Sequence, residues 1–296
     1  MMKKKSILAK AAMSALLAAS VMIPAQLASA ATSGSYMGSW DLKGNGQQQS
    51  VYNQGNQLAV VEPSGATRIY SIGSGLVSWA LLGVEDLDGN PGAEIILNVA
   101  NSRVNGGSEI VIFTHRTGST KSYEPGGTWA LLKITDTDGN PGKEIALKVV
   151  PRIYGSQEIR TIRHRTQAIK SYSFSDDIAF LGAVDTDGQA GEELVINRAG
   201  KSVVFIRDRA DTTTSNSLST TNWKVLGFSD TDGKAGQEVV INTGQHILTL
   251  RDASRTSGNH FIGTNWTFQG FANMDGQPGN EIQVFVNGVL KIVYDR

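Results

Sequence analysis

The run Asp86-Leu87-Asp88-Gly89-Asn90-Pro91-Gly92-Ala93-Glu94 sets an acid or amide at its first, third, fifth and ninth positions around two glycines. It returns at Asp136–Glu144, at Asp185–Glu193, at Asp230–Glu238 and, with Asn in first place, at Asn273–Glu281. A diverged copy opens at Asp41, where Lys43 and Gln49 replace the second and last acids. First positions stand 45, 50, 49, 45 and 43 residues apart, the length of a four-stranded propeller blade.

The flanks repeat with the loop. Seven residues before the first position stand Trp79, Trp129, Trp223 and Trp266, with Ile178 in the fourth unit and Gly34 in the first. After the ninth position comes a short β-branched run: Ile95 to Val99, Ile145 to Val150, Leu194 to Ile196, Val239 to Ile241 and Ile282 to Val286. Turn residues such as Ala199-Gly200, Thr243-Gly244 and Asn287-Gly288 bound these runs, and a third apolar run follows, which is a hairpin signature. No segment keeps a 3.6-residue apolar period, so no helix is expected after the N-terminal segment. Each unit therefore reads as strands a, b, c and d, with the acidic loop joining a to b. A lone sheet of this kind exposes an apolar face, and radial stacking buries it. The expectation is an all-β chain forming a single β-propeller of six blades, each of about four antiparallel strands. Its repeats cover 31–75, 76–125, 126–174, 175–219, 220–262 and 263–296. The last blade is either incomplete or closed by an N-terminal strand from residues 31–36.

The chain has 296 residues, 27 basic and 27 acidic side chains and no cysteine. Thiol catalysis, thiolate metal sites and disulfides are thereby excluded. Residues 1–30 stand apart: Lys3, Lys4, Lys5 and Lys10 precede an apolar stretch from Ala11 to Ile23, and Ala28-Ser29-Ala30 follows. This reads as a secretory signal peptide cleaved after Ala30. The apolar stretch is shorter than the roughly 20 residues that span a bilayer. Loss of those four lysines leaves a formal charge of −4, which disfavours a nucleic-acid partner. The mature protein is expected to be extracellular, without a membrane span, and monomeric.

Three carboxylates within nine residues repel one another, each close pair by up to about 4 kcal/mol at an effective dielectric near 20. A divalent cation cancels that repulsion, and calcium, which takes six to eight oxygens in a loose shell, suits a short loop better than octahedral magnesium. The expected ligands are Asp86, Asp88, Asn90 and Glu94; Asp136, Asp138, Asn140 and Glu144; Asp185, Asp187, Gln189 and Glu193; and Asp275, Gln277 and Glu281. In the loop at Asp230 the fifth position is Lys234, whose ammonium can serve as a counter-ion beside Asp232 and Glu238. The first loop, with Lys43, is expected to bind no metal. The competing reading is an Asx-turn, the carboxylates accepting backbone N–H groups; an acidic ninth position in five copies favours the cation. An EF-hand fits less well, because its loop is longer and lies between helices.

The pattern D-x-D-G-N-P-G-x-E-I between two strands, repeated over the whole mature chain, resembles the FG-GAP and VCBS-type repeats of integrin-like β-propellers and secreted bacterial proteins. That resemblance implies calcium at loop positions 1, 3, 5 and 9. Family members include adhesion modules, lectins and scaffolds of polysaccharide-degrading enzymes, so the resemblance speaks to architecture more than to activity.

Catalytic signatures are absent: no G-x-S-x-G elbow, H-E-x-x-H helix or phosphate-cradling glycine loop occurs. His115 and His164 occupy one repeat position, held by Asp208 and Asp252 in later units, and read as exposed polar sites. Arg152, Arg160, Arg163 and Arg165 read as a solvated outer strand. Trp79, Trp129, Trp223 and Trp266 are candidates for stacking on sugar rings, against the alternative that they fill space between blades. The function expected is a calcium-stabilised, non-catalytic binding or adhesion module for a glycan or protein surface. The alternative is an extracellular polysaccharide lyase or hydrolase with its site on the propeller's top face.

Overall fold

The structure, a computed structural model, describes residues 34–73, 78–101, 107–151 and 155–296. The signal-peptide reading and Arg152 lie outside these residues. Blade 1 comprises β1 (Ser35–Trp40), β2 (Gln49–Asn53), β3 (Gln57–Val61) and β4 (Thr67–Ser71); blade 2 comprises β5 (Ser78–Glu85), β6 (Glu94–Asn101), β7 (Gly107–Thr114) and β8 (Ser119–Tyr123). Blade 3 follows with β9 (Thr128–Thr135), β10 (Glu144–Val150), β11 (Gln157–Arg163) and β12 (Ala168–Phe174), and blade 4 with β13 (Ile178–Val184), β14 (Glu193–Arg198), β15 (Ser202–Arg207) and β16 (Thr212–Ser217). Blade 5 is β17 (Lys224–Ser229), β18 (Glu238–Asn242), β19 (His246–Arg251) and β20 (Thr256–Phe261), and blade 6 is β21 (Trp266–Ala272), β22 (Glu281–Val286) and β23 (Val289–Val293).

Every sheet is an antiparallel meander in chain order, and the architecture is the all-β propeller that the repeat predicts. Of the two expectations for the last blade, the incomplete one holds among the described residues, where its sheet has three strands. Ser35 and Tyr36 do not complete it, because they pair with Asn53 and Tyr52 inside blade 1.

Apolar side chains of strands b and c point alternately to the two faces of each blade, so consecutive blades share a core. Ile96, Ile110 and Ile112 of blade 2 meet Ile145, Leu147 and Val149 of blade 3, all with 0 % exposure. Val195, Val203 and Phe205 of blade 4 meet Val239 and Ile241 of blade 5 in the same way. Each such side chain contributes about 1.5–3 kcal/mol. Five clusters of this kind join blades 1 to 6 in series.

Polar contacts fix the stacking direction, each reaching from one blade back to the blade before it. The indole N–H of Trp79 donates to the Gly55 carbonyl at 2.6 Å, Trp129 to Ser108 at 3.1 Å, Trp223 to Gly200 at 2.7 Å and Trp266 to Gly244 at 2.7 Å. At the end of strand c, buried Asp208 accepts from Thr137, Thr161, Arg163 and Tyr172 of blade 3. Asp252 does the same with Thr186, Arg207 and Thr214 of blade 4, and Asp295 with Thr231, Thr249 and Arg251 of blade 5.

This network revises two expectations. His115 is buried, its Nδ1 meeting the Tyr70 hydroxyl at 2.7 Å and its Nε2 meeting Glu62 at 2.8 Å. Burial pulls its pKa below the ordinary histidine value. Arg163 is mostly buried against Asp208, and Arg160 pairs with Glu158 and donates to the Pro125 carbonyl, so neither belongs to a solvated strand.

Candidate metal centres in the repeated acidic loops

Each acidic loop reverses the chain between strands a and b, and its turn is held by its own carboxylates. In blade 2, Asp86 Oδ1 accepts the N–H groups of Asp88 (3.2 Å) and Gly89 (2.7 Å). Asp88 Oδ1 accepts Asn90 N–H at 2.9 Å, and Glu94 Oε2 accepts Leu87 N–H at 2.8 Å. Gly89 has φ 74°, and a Cβ there would lie 2.6 Å from Pro141 of the next loop, so turn and stacking both require glycine. The loops also touch through the backbone: the position-8 N–H of each donates to the position-1 carbonyl of the loop before it, as from Lys143 to Asp86 at 2.8 Å.

These bonds engage one oxygen of each carboxylate, and the fold then brings one ligand oxygen from each acid to within 4.8 Å of the others. The sets are Asp86, Asp88 and Glu94; Asp136, Asp138 and Glu144; Asp185, Asp187 and Glu193; and Asp230, Asp232 and Glu238. Burial, with the two loop aspartates beside Glu94 and Glu144 and with Asp187 and Asp252 beside Glu193, pushes all three up to about 7, and Glu238 shifts the same way. Three hard oxygen donors with a strained shared charge are a donor set that a divalent cation satisfies.

The fifth-position residues are not gathered in. Asn90, Asn140, Gln189 and Gln277 have exposed side chains, and their backbone N–H groups carry the turn bonds. In the blade 6 loop Arg296 donates to Asp275 at 2.7 and 2.8 Å and to Glu281 at 2.5 Å. That guanidinium holds the Asp275 carboxyl well below the usual range. Lys234 sits 3.1 Å from Asp232, as expected of a counter-ion, yet Asp230, Asp232 and Glu238 still converge. The first loop closes on hydrogen bonds alone: Asp41 accepts four N–H groups, and buried Gln49 accepts Leu42 N–H at 2.8 Å.

Sequence reasoning missed the arginines beside the clusters. Arg116 lies 3.2 Å from Asp88, Arg163 3.6 Å from Asp138, Arg207 3.5 Å from Asp187 and Arg251 3.1 Å from Asp232. Arg163, Arg207 and Arg251 recur at one repeat position, the signal that would have shown them. Two rim cavities open beside these loops. One of about 370 Å³ includes Asp187, Glu193, Arg207, Arg209 and Arg255, and one of about 260 Å³ includes Asp88, Asn90, Lys121, His164 and Arg165. A cavity of about 600 Å³ lies by the d–a connection and b–c turn of blade 4, lined by Ser175, Asp176, Asp177, Asn197 and Gly200.

No protein-family profile and no curated protein matches the chain. Among solved structures, it is similar to an Agrocybe aegerita lectin described as recognising non-reducing terminal N-acetylglucosamine, at 11 % identity and TM-score 0.41 over 87 % of this chain and 79 % of that one. A streptogramin B lyase aligns at 15 % identity and TM-score 0.38, covering 85 % of this chain and 80 % of that one. The WD40 domain of SCAP from fission yeast aligns at 12 % identity and TM-score 0.37, covering 85 % and 62 %. At these levels the assignment of fold rests on the sheets and joints themselves. Among the described residues no helix is long and apolar enough to cross a membrane.

Proposed function

We propose that the chain is a secreted β-propeller of the FG-GAP/VCBS type, loaded with calcium in its rim loops, that serves as a non-catalytic binding module for a glycan or protein surface. The observation that carries the calcium reading is the convergence of Asp, Asp and Glu in four consecutive blades, each with its glutamate buried. Asp86, Asp136 and Asp185, with their partners at positions 3 and 9, would hold the ion, which would neutralise the loop and fix the turn. The loop at Asp230 is a weaker site because Lys234 and Arg251 already face Asp232. In blade 6, Arg296 plays the cation's part for Asp275 and Glu281.

For ligand binding, the support is a scaffold whose open cavities are lined by carboxylates, amides and arginines, groups that hydrogen-bond hydroxyl-rich or charged surfaces. The tryptophans commit their N–H groups to the preceding blade, which leaves only ring faces for a sugar. Similar carboxylate sets in four blades favour a structural role over an acid–base pair, which needs two carboxyls in unlike environments.

Thermal melting with and without chelator tests the metal: calcium should raise the midpoint by mass action, and an unchanged midpoint would refute it. Retention on a glycan array without turnover of a polysaccharide panel supports the binding module. Measured turnover would replace it with the lyase or hydrolase reading.

A further inference from the structure

The propeller carries two unfinished halves of one further blade joint, and we propose that they meet between two copies of the chain, the outer face of blade 6 in one copy seating on the free face of blade 1 in the next. The five internal joints supply the template. The strand-c residue that points to the following blade is Leu58, Ile110, Ile159, Val203 and Ile247 in blades 1 to 5, each 0 % exposed; in blade 6 it is Leu290, 45 % exposed. Loop position 2, aimed the same way, is 1–2 % exposed at Leu42, Leu87, Thr137, Thr186 and Thr231, but 53 % at Met274. A Cβ on Gly233 would strike Pro278 and one on Gly227 would strike Phe271, whereas Gly276 and Gly270 of blade 6 face nothing within 4 Å among the described residues.

Blade 1 is the matching half. Register places Tyr36, Tyr52, Ala59 and Ile69 on its face away from blade 2, with Tyr36 60 % and Ile69 45 % exposed. Tyr36 and Tyr52 pack their rings 5.5 Å apart there. Residues equivalent to Tyr52 in blades 2 to 6, namely Leu97, Leu147, Ile196, Ile241 and Val284, are all 0 % exposed.

The two halves agree in chemistry as well as in place. The joints from blade 3 to blade 6 are locked by Thr, Arg and Asp, and the first two by Tyr and His; blade 6 has Ile292 and Tyr294 where blade 5 has Thr249 and Arg251, and blade 1 has Pro63 where blade 2 has His115. Phe285 stands where the other blades carry Asn or Lys. Both half-joints are therefore largely apolar and aromatic, with Ser39 and Ser50 on the blade 1 face and Gln283 on the blade 6 face, and neither carries the Thr–Arg–Asp lock. Such a contact is heterologous, and it continues the series of joints already present within one chain.

Sedimentation velocity of the mature chain over a concentration series tests this, and species heavier than one copy are expected. Leu290→Arg blocks only the blade 6 face and Tyr36→Arg only the blade 1 face, so each variant alone should lose the heavier species. An equimolar mixture of the two retains one competent pair of faces and should form a one-to-one complex and nothing longer, which also shows that both variants fold. A single-copy mass at every concentration overturns the proposal, as does association that survives either substitution or a mixture that stays monomeric.

Discussion

Asp252 shows what one side chain does at a joint. It is 1 % exposed and collects Thr186, Thr214 and Arg207 from the preceding blade. Asp252→Ala strands a largely buried guanidinium, and the expected loss is about 3–5 kcal/mol, read by chemical denaturation. Trp129→Phe removes the bond to Ser108 and part of the ring's packing against the core of blades 2 and 3, and should cost about 1–3 kcal/mol while leaving an aromatic face for a stacking ligand. The sequence displayed the tryptophan period, but a period reports position along a strand and not which neighbour the side chain reaches. For the same reason His115 read as exposed: its partners Tyr70 and Glu62 are far from it in sequence and belong to the preceding blade.

The acidic loop is an element whose charge state depends on the fold. Glu94, Glu144 and Glu193 bind protons more tightly in the native state than in the unfolded chain, with folded values about 7 against an ordinary 4.5. Their stabilising protonation is complete below about pH 4.5 and is lost as pH rises through about 7. In chelator, the melting midpoint should therefore fall between these values, and added calcium should restore it most strongly at the alkaline end. A chelated midpoint that rises steadily over this range would contradict the shifts. Glu144→Gln should keep the turn, since Gln49 accepts the equivalent N–H in the first loop, while weakening calcium's effect and flattening the pH dependence. Positions 1, 3 and 9 were legible because the spacing alone brings them together. The fifth position was not, because its backbone rather than its side chain holds the turn.

At the scale of the molecule, each internal blade is buried on two faces and blade 6 on one, so stability is expected to grade along the chain as it does in repeat proteins. Amide exchange measured on the single-copy species should be slowest in β10, β14 and β18 and faster in β22 and β23. Uniform protection through blade 6 would mean that its outer face is covered. The six units and the doubt over the last blade were readable from the period, whereas the exposed outer face was not, although Phe285, Ile292 and Tyr294 depart from the repeat there. The indole bonds and the Asp or His locks point one way, from a later unit back to the one before it, whereas Lys133 and Lys148 of blade 3 reach forward to blade 4. Blades 4 and 5 give and receive the same Thr–Arg–Asp lock, so excision or duplication of either leaves matched locks at the remaining junctions. A chain built on this rule can lengthen or shorten in evolution by complete modules of that type, with the lock kept intact.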